Sequence, residues 1–227
     1  MDLANCQGCA IRDVCVLGRL GNDEPALVES HIRQRIFRRG DVLADEGKIA
    51  TFVRIVKMGT VFGYRRGLDG RSRPIGVVSR GNGFGIFGVF DNPTQATGVA
   101  LTAGRICEIP VVALRNRRAC DSKMLVHLGQ SAVQTCGAMA TWSEAMRLPG
   151  VINQLAYVVV LLADANKTPV VELPPHSALA QLLGTTRETV ARALGTLEIE
   201  GGIRRWERKR CEVYRRNLLA RVSRSTR

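Results

Sequence analysis

The sequence predicts an α+β protein with an N-terminal antiparallel β-roll, a long helix and a C-terminal winged helix-turn-helix. Three patterns carry this prediction. Short apolar runs alternate with glycine-bearing turns over residues 36–110, apolar residues recur at helical spacing over residues 121–147, and a helix–glycine turn–helix pattern begins at residue 177. Strands at even spacing, broken by turn residues, are typical of antiparallel rolls and barrels.

The first sixteen residues precede the roll and hold three of the seven cysteines, Cys6, Cys9 and Cys15. Their spacing is C-x2-C-x5-C, and no apolar periodicity explains it. Thiolates are the ligands that zinc and iron–sulfur clusters prefer, and close thiols can converge on one metal centre. Three ligands leave a tetrahedral site or a cubane cluster one ligand short, so we look for a fourth elsewhere in the chain.

The roll is predicted from the apolar runs at residues 53–56, 60–62, 75–78 and 99–101, each read as part of a strand. Asp69-Gly70 lies between two of these runs. This pair is a strong β-hairpin signal, because both residues tolerate the positive φ angles of a tight turn.

The predicted dimerisation helix over residues 121–149 has the three-and-four spacing of a coiled coil and ends at Pro149-Gly150. A core helix of a monomer is the alternative interpretation. Gly129 and Gly137 each cost ~1 kcal/mol relative to alanine, so we expect a marginal dimer helix. The predicted dimer seam comprises Leu125, Leu128, Ala132, Thr135, Met139, Trp142 and Met146.

The sharpest local pattern covers residues 177–194. Ala180 lies where two helices would approach closely, Gly184 makes the turn, and Val190 lies in the core of the second helix. Thr185 and Glu188 form a predicted capping box at the start of that helix. A helix pair without a nucleic-acid role is the alternative, which the basic character of the chain disfavours.

Residues 201–216 predict a β-hairpin, the wing of a winged helix. Its basic side chains suit contacts with phosphate groups. The predicted phosphate contacts are Arg204, Arg205, Arg208, Lys209 and Arg210.

Net charge indicates the class of partner. The chain has 33 Lys and Arg against 20 Asp and Glu, a formal charge of +13, and residues 167–227 alone carry 13 basic and 6 acidic residues, or +7. The basic residues do not form one amphipathic helix, so a nucleic acid is favoured over a membrane. Neither a membrane span of ~20 apolar residues nor a secretory signal is evident, so we expect a cytoplasmic protein with reduced thiols.

The predicted organisation has four parts. They are a cysteine-bearing N-terminal segment over residues 1–20, a β-roll sensor domain over 21–120, the dimerisation helix over 121–149 and the winged helix-turn-helix domain over 150–227.

This order of elements resembles the CRP/FNR (cyclic-AMP-receptor/fumarate–nitrate-reduction) superfamily of bacterial transcription regulators, over nearly the whole chain. Residues 37–47 (FRRGDVLADEG) look like the superfamily's roll-opening motif, and residues 55–61 (IVKMGTV) look like its next hairpin. Residues 184–192 (GTTRETVAR) match its recognition-helix signature closely. The resemblance implies a cyclic-nucleotide-binding-like roll and a DNA-binding protein rather than an enzyme.

Two features resemble the FNR-like branch with N-terminal iron–sulfur cysteines. That branch has C-x2-C-x5-C near its N-terminus and a cysteine before Glu-Ile-Pro at the end of the roll, and residues 106–110 read ICEIP. The resemblance therefore implies one [4Fe–4S] cluster per chain, held by Cys6, Cys9, Cys15 and Cys107. No cyclic nucleotide is expected, since residues 81–97, equivalent to the phosphate cassette, contain no Glu for a ribose hydroxyl and no Arg for a phosphate.

The resemblance further implies an oxygen- or redox-responsive regulator whose cluster controls homodimer formation and binding to palindromic promoter DNA, with RNA polymerase as an expected partner. The expected DNA contacts are Thr186, Arg187, Glu188 and Arg192, because Arg pairs with guanine and Glu accepts from cytosine. Ala191 departs from the FNR-like branch, where serine is usual. We therefore expect half-sites closer to TGTGA than to TTGAT.

Three alternatives stay open. The thiols could hold structural zinc, although zinc sites favour paired C-x2-C knuckles and the sequence has one. They could instead form a thiol–disulfide switch without a cluster. An iron–sulfur enzyme is not expected, because the three histidines are scattered. The remaining cysteines, Cys120, Cys136 and Cys211, are interpreted as small buried apolar side chains.

Overall fold

The structure is a computed structural model that describes residues 5–15, 18, 29–115, 122–207 and 210–225 and the backbone of residues 2–3; residues 122–125 are described by their backbone alone. The chain folds as two compact units, Met1–Ala138 and Met139–Arg227. Within the described ranges, no helix is long and apolar enough to cross a membrane.

The described strands of the first unit are β1 Asp2–Leu3, β2 Arg33–Phe37, β3 Val42–Ala44, β4 Phe52–Met58, β5 Val61–Arg66, β6 Ser72–Val78, β7 Gly83–Phe84, β8 Thr97–Ala100 and β9 Gly104–Pro110. They form β-sheets with the orders β1-β2-β9-β4-β7 and β3-β8-β5-β6. All of their described pairings are antiparallel, which confirms the predicted fold class. The Asp69-Gly70 hairpin is also confirmed, since it joins β5 to β6 with Gly70 at φ 74°.

Two helices follow the last strand of the roll. Helix α1 covers Val111–Arg115, and the long helix α2 covers Ser122–Arg147, close to the range that the heptad pattern predicts. Short 3-10 helices in the described part of the chain lie at Arg12–Val14 and Ile86–Phe90. The boundary between the two units falls within α2.

Among its described residues, the first unit has two apolar cores. Alternation along β4 separates them, because neighbouring strand residues point to opposite faces: Val56 enters one core and Ile55 the other. The roll core contains Phe37, Leu43, Val56, Val61, Ala100 and Ile106. The second, which we name the junction core, contains Ile11, Ile32, Val53, Ile55, Ile109, Val111, Leu114 and Leu128.

A buried carboxylate ties three strands of the first sheet together. Glu108 in β9 is 5% exposed, and its Oε1 lies 2.8 Å from Arg54 Nε in β4 and 3.2 Å from Arg35 Nε in β2. The Arg54 guanidinium also lies over the Phe52 ring, 5.5 Å from its centroid. Removing this carboxylate would leave two guanidinium groups without their shared counter-ion.

Glu108→Ala is therefore expected to lower the free energy of unfolding of the first unit by about 3 kcal/mol, since breaking a buried ion pair strands the remaining charge. Urea titration followed by circular dichroism measures the change. The control is Asp45→Ala, which removes one partner of the exposed Asp45–Lys48 pair and should cost about 0.5 kcal/mol. Equal effects of the two substitutions would contradict a structural role of the buried cluster.

The second unit is a winged helix-turn-helix. Its three-stranded sheet has the order β10-β12-β11. The elements are α3 Val151–Asn166, β10 Val170–Glu172, α4 His176–Leu182, α5 Arg187–Ile199, β11 Ile203–Arg205, β12 Arg210–Val213 and α6 Arg215–Ser225.

The helix-turn-helix positions are confirmed. Ala180 is 5% exposed, Val190 is fully buried, and Gly184 forms the turn at φ 60°. The predicted capping box is wrong by one residue. The N-cap is Thr186, whose Oγ1 accepts from the Thr189 N–H at 3.2 Å, because the Thr185 N–H already closes the turn onto Ala180 O at 2.9 Å.

Candidate functional site

The N-terminal cysteine segment, residues 5–15, is folded by its own hydrogen bonds. The Gly8 N–H donates to Asn5 Oδ1 at 2.9 Å, and the Arg12 N–H donates to Cys9 O at 3.0 Å. The Cys15 N–H donates to Ile11 O at 2.9 Å. These bonds turn the C-x2-C-x5-C sequence into a compact loop instead of an extended tail.

Polar groups of the first unit fasten the loop. The Cys6 N–H donates to Glu29 Oε1 at 2.6 Å, and Arg80 Nη2 donates to Ala10 O at 2.7 Å. Sequence reasoning missed both partners. Because the acceptor of Arg80 is a backbone carbonyl, no pairing of residue types in the sequence could indicate it.

Apolar contacts dock the same loop. Ile11, between the second and third cysteines, is 3% exposed and belongs to the junction core. Gly81 has φ 84°, and a methyl group there would lie 2.7 Å from Val14 Cγ2. Glycine therefore allows the loop to approach the roll at this point. The single isoleucine between two cysteines was a signal in the sequence that we did not use.

The fourth predicted ligand lies on the roll. Cys107 is in the middle of β9, paired with Gln34 on one side and Ile55 on the other. The structure brings it together with the loop, because all four thiols are half-buried and pack against the junction core. These four are Cys6, Cys9, Cys15 and Cys107.

The four cysteines also influence one another electrostatically. The pKa of the Cys6 thiol is raised to about 12. Burial is the largest cause, and the charges of Glu29 and of the other three cysteines contribute the rest. Burial likewise raises the pKa of Cys107 to about 11, with contributions from Cys15 and Cys9. Coulomb interactions weaken with distance, which agrees with the packing of all four cysteines against the junction core.

Proximity does not make a ready site for a metal ion. Among the residues described, no group of three or more His, Cys, Asp or Glu side chains could hold one. The four thiols pack against the junction core as free, half-buried cysteines.

The other cysteines differ from one another. Cys211 in β12 is fully buried, as predicted, and burial raises its pKa to about 12. The prediction is wrong for Cys136, which is exposed on α2. Cys120 lies outside the described residues.

The start of α5 presents the four predicted DNA contacts, all exposed: Thr186, Arg187, Glu188 and Arg192. Hydrogen bonds from its own N–H and from the Thr186 hydroxyl, followed by the charges of Arg187 and Arg192, lower the pKa of the Glu188 carboxyl. Arg192 Nη2 lies 3.4 Å from Thr189 Oγ1. Two guanidinium groups and an ionised carboxylate at an exposed helix start can read base edges in a major groove.

The wing supplies further cations. Arg204 and Arg210 are exposed, as phosphate contacts require. Arg205 forms an ion pair within its own unit. Its Nε donates to Glu198 Oε2 at 2.7 Å, and its backbone N–H donates to Glu198 Oε1 at 3.0 Å. The predicted contacts Arg208 and Lys209 lie outside the described residues.

The predicted dimer seam needs correction at two positions. Leu128 is 2% exposed and fills the junction core, and Trp142 is 3% exposed in the second unit. Both side chains are occupied within the chain, so they cannot face a second copy. Of the others, Met139 is 39% exposed, Ala132, Thr135 and Met146 are half-buried, and the side chain of Leu125 is outside the described part.

A second face of α2 is exposed to solvent. An outer stripe of exposed apolar and small residues repeats at three-and-four spacing, and consists of Val126, Gly129, Val133 and Cys136. Val126 is 57% exposed and Val133 is 71% exposed. A Cβ added at Gly129 would have no neighbouring atom within 4 Å in the part of the chain that the structure describes.

Comparison with known proteins identifies both units. The family description "Cyclic nucleotide-binding domain" matches residues 34–119, and "Crp-like helix-turn-helix domain" matches residues 153–222. The cyclic AMP receptor protein of Thermus thermophilus is 26% identical over 192 residues, which cover 82% of this chain and 86% of that protein.

Solved structures share the fold. FixK2 from Bradyrhizobium japonicum superposes with a TM-score of 0.71 at 18% identity, covering 83% of this chain and 96% of that one. A CRP/FNR-family regulator from Thermus thermophilus has a TM-score of 0.64 at 23% identity, covering 84% and 98%. With both matched domains in this order on this fold, the chain belongs to the CRP/FNR family of DNA-binding transcription regulators.

Proposed function

We propose that this regulator responds to oxygen or redox state through a [4Fe–4S] cluster, one per chain, which controls homodimer formation and promoter binding. Cys6, Cys9, Cys15 and Cys107 would hold the cluster. The observation that carries the proposal is the gathering of these four half-buried thiols at the junction core. Four cysteines are the donor set that such clusters use.

The spacing of the thiols favours a cluster over structural zinc. Structural zinc sites favour paired C-x2-C knuckles, and the sequence has one, at Cys6 and Cys9. A cubane cluster binds its thiolates at four separate irons. The C-x2-C-x5-C spacing with a fourth cysteine on the roll therefore suits a cluster better than zinc.

A thiol–disulfide switch has less support. The thiolate is the reactive form of cysteine, and burial raises the pKa of Cys6 to about 12 and that of Cys107 to about 11. At neutral pH both thiols are protonated in this form of the protein. Slow reaction with oxidants is therefore expected.

Cyclic AMP is not part of the proposal, although one relative is a cyclic AMP receptor protein. Residues 81–97 contain neither Arg nor Glu. The 3-10 helix within them is instead held by Arg115, whose Nη2 lies 2.5 Å from Gly88 O and 2.5 Å from Asp91 Oδ1. A phosphate bound at this segment would have no cationic partner within it.

The junction core connects the thiols to the long helix. When bound, the cluster would supply oxygen-sensitive bonds that join the N-terminal loop to β9. Ile11 of the loop and Leu128 of α2 share the junction core, so release of the loop would remove packing around Leu128. A coupling of only a few kcal/mol shifts a two-state population substantially.

The outer stripe of α2 is the proposed dimer surface. Its two valines leave most of their side-chain surface in water, which is unfavourable unless a partner covers them. Gly129 destabilises the helix by ~1 kcal/mol relative to alanine, and no contact among the described residues requires a glycine there. Close approach of the same helix from a second copy accounts for both features.

Iron analysis and one absorption spectrum test the cluster. Protein purified without oxygen is expected to be brown, to contain about four irons per chain, and to lose its visible absorption in air. Cys107→Ala should lose the iron, whereas Cys136→Ala, the matched change at a cysteine outside the set, should retain it.

Three outcomes would contradict the cluster. They are colourless protein from strictly anoxic cells, full iron content in Cys107→Ala, and stoichiometric zinc in place of iron. The last of these would support the structural-zinc alternative.

A further inference from the structure

Trp206 is a large aromatic residue of the wing that is exposed to solvent. The chain has two tryptophans: Trp142 is 3% exposed, whereas Trp206 is 56% exposed. Removing a large aromatic side chain from water lowers the free energy of the system. Tryptophan is enriched among the residues that contribute most to binding energy at interfaces. We therefore expect Trp206 to contact a partner.

The wing holds Trp206 in a defined place. Strands β11 and β12 pair Arg205 with Cys211, and the Trp206 N–H donates to Arg210 O at 3.1 Å, which continues the register by one residue. Trp206 therefore lies opposite Arg210 just beyond the end of β11. The base of the wing is anchored by Ile203, Cys211 and Val213, all at most 5% exposed.

The charges around Trp206 indicate the chemistry of its partner. Arg204 and Arg210 are exposed beside it, and each has an acidic neighbour across the sheet, Glu212 and Glu172 respectively. Residues 204–212 of the wing are nevertheless basic in sum, with five Arg or Lys and two Glu. Arg205 adds little to this surface, because Glu198 pairs with it. A partner with anionic groups on either side of an apolar surface fits this arrangement.

Duplex DNA has that surface, because phosphates alternate with the apolar faces of deoxyribose along each strand. We propose that Trp206 packs against the deoxyribose edge of the DNA beside each half-site, between phosphates contacted by Arg204 and Arg210. The inference rests on DNA binding by the winged unit and does not depend on the cluster. A protein partner such as RNA polymerase would be a different result.

A contact of this kind adds affinity that salt does not weaken. Phosphate contacts release counter-ions, so each one steepens the fall of affinity with salt concentration, whereas an apolar contact leaves that slope unchanged. The salt dependence of binding therefore separates the tryptophan from the arginines beside it.

The test uses the full chain in anoxic buffer and a duplex containing its palindromic site. Trp206→Ala is expected to bind about tenfold more weakly at every salt concentration, with the same slope, and Trp206→Phe should recover most of the affinity. Arg204→Ala should lower the slope by about one per contact. Ile199→Ala, which shortens a residue that is 88% exposed in the same unit, should bind like the wild type.

Hydroxyl-radical footprinting then locates the contact. The wild type should protect deoxyribose positions flanking each half-site, and Trp206→Ala should lose that protection alone. Identical footprints and affinities for the two proteins would overturn the inference, as would tryptophan emission that responds to RNA polymerase and not to DNA. A wild type that binds no duplex at all would contradict DNA recognition itself, a separate result.

Discussion

Replacing Val133 by aspartate is expected to convert the protein into a monomer and to weaken binding to a palindromic site by about 100-fold. Val133 is 71% exposed in the middle of the outer stripe. In a two-fold pairing, a residue near the axis contacts its own copy, so two carboxylates would meet in an apolar seam. The loss of the linked second half-site then removes an avidity of 10²–10⁴ in order of magnitude.

Sedimentation in anoxic buffer measures the mass, and fluorescence anisotropy measures the affinity. Leu68→Asp, the same change at an exposed position of the β5–β6 hairpin, should leave both unchanged. Iron content should be normal in both variants, which separates the dimer surface from the cluster. A dimeric Val133→Asp protein would contradict the outer stripe as the interface and would favour the predicted seam residues Ala132 and Met139 instead.

Cys136 offers an independent check of the same face. It is exposed on the outer stripe, one turn beyond Val133, and a disulfide forms where two Cα atoms come within about 4.4–6.8 Å. Treatment with a small-molecule disulfide in anoxic buffer, which keeps oxygen away from the proposed cluster, should therefore link two wild-type chains covalently by thiol–disulfide exchange. Cys136→Ala should abolish the link.

The roll and the winged unit are predictable because their signals are local. Asp69-Gly70 determines its hairpin through backbone preference alone, and Gly184 determines the turn between α4 and α5 in the same way. The capping box fails by one residue for an equally local reason. Thr185 and Thr186 are both good caps, and the hydrogen bond from Thr185 N–H to Ala180 O selects the second.

The face of α2 is not predictable from spacing. A heptad pattern shows that a helix has an apolar side, and it says nothing about what covers that side. Leu128 meets the junction core of its own chain, so the strongest positions of the pattern are used internally. The weaker apolar stripe, with Val133 at its centre, is the one left for a partner.

The candidate site divides in a similar way. The candidate cysteines can be predicted from the sequence because they match a spacing motif. The structure adds the contacts by which the N-terminal loop packs on the roll. Arg80 donates to a backbone carbonyl, and Gly81 matters only because Val14 lies against it. Contacts of this kind depend on distances in the folded chain, which residue types do not encode.

Arg187→Ala is expected to weaken DNA binding by the dimer at least about 30-fold. Each bidentate contact of an arginine with guanine contributes about 1–3 kcal/mol, and a homodimer loses two of them, about 2–6 kcal/mol in total. Electrophoretic mobility shift measures the loss. Arg71→Ala removes the same charge from an exposed position of the roll and should have almost no effect.

Selection from random duplexes tells base reading from phosphate contact at Arg187. If Arg187 reads a base, the variant should accept any base pair at one position of each half-site, whereas loss of a phosphate contact would weaken all sequences equally. The wild type should select half-sites close to TGTGA, because Ala191 replaces the serine usual in the FNR-like branch and Arg187, Glu188 and Arg192 are all exposed. Recovery of TTGAT half-sites alone would show that these three side chains read DNA in the FNR manner despite Ala191.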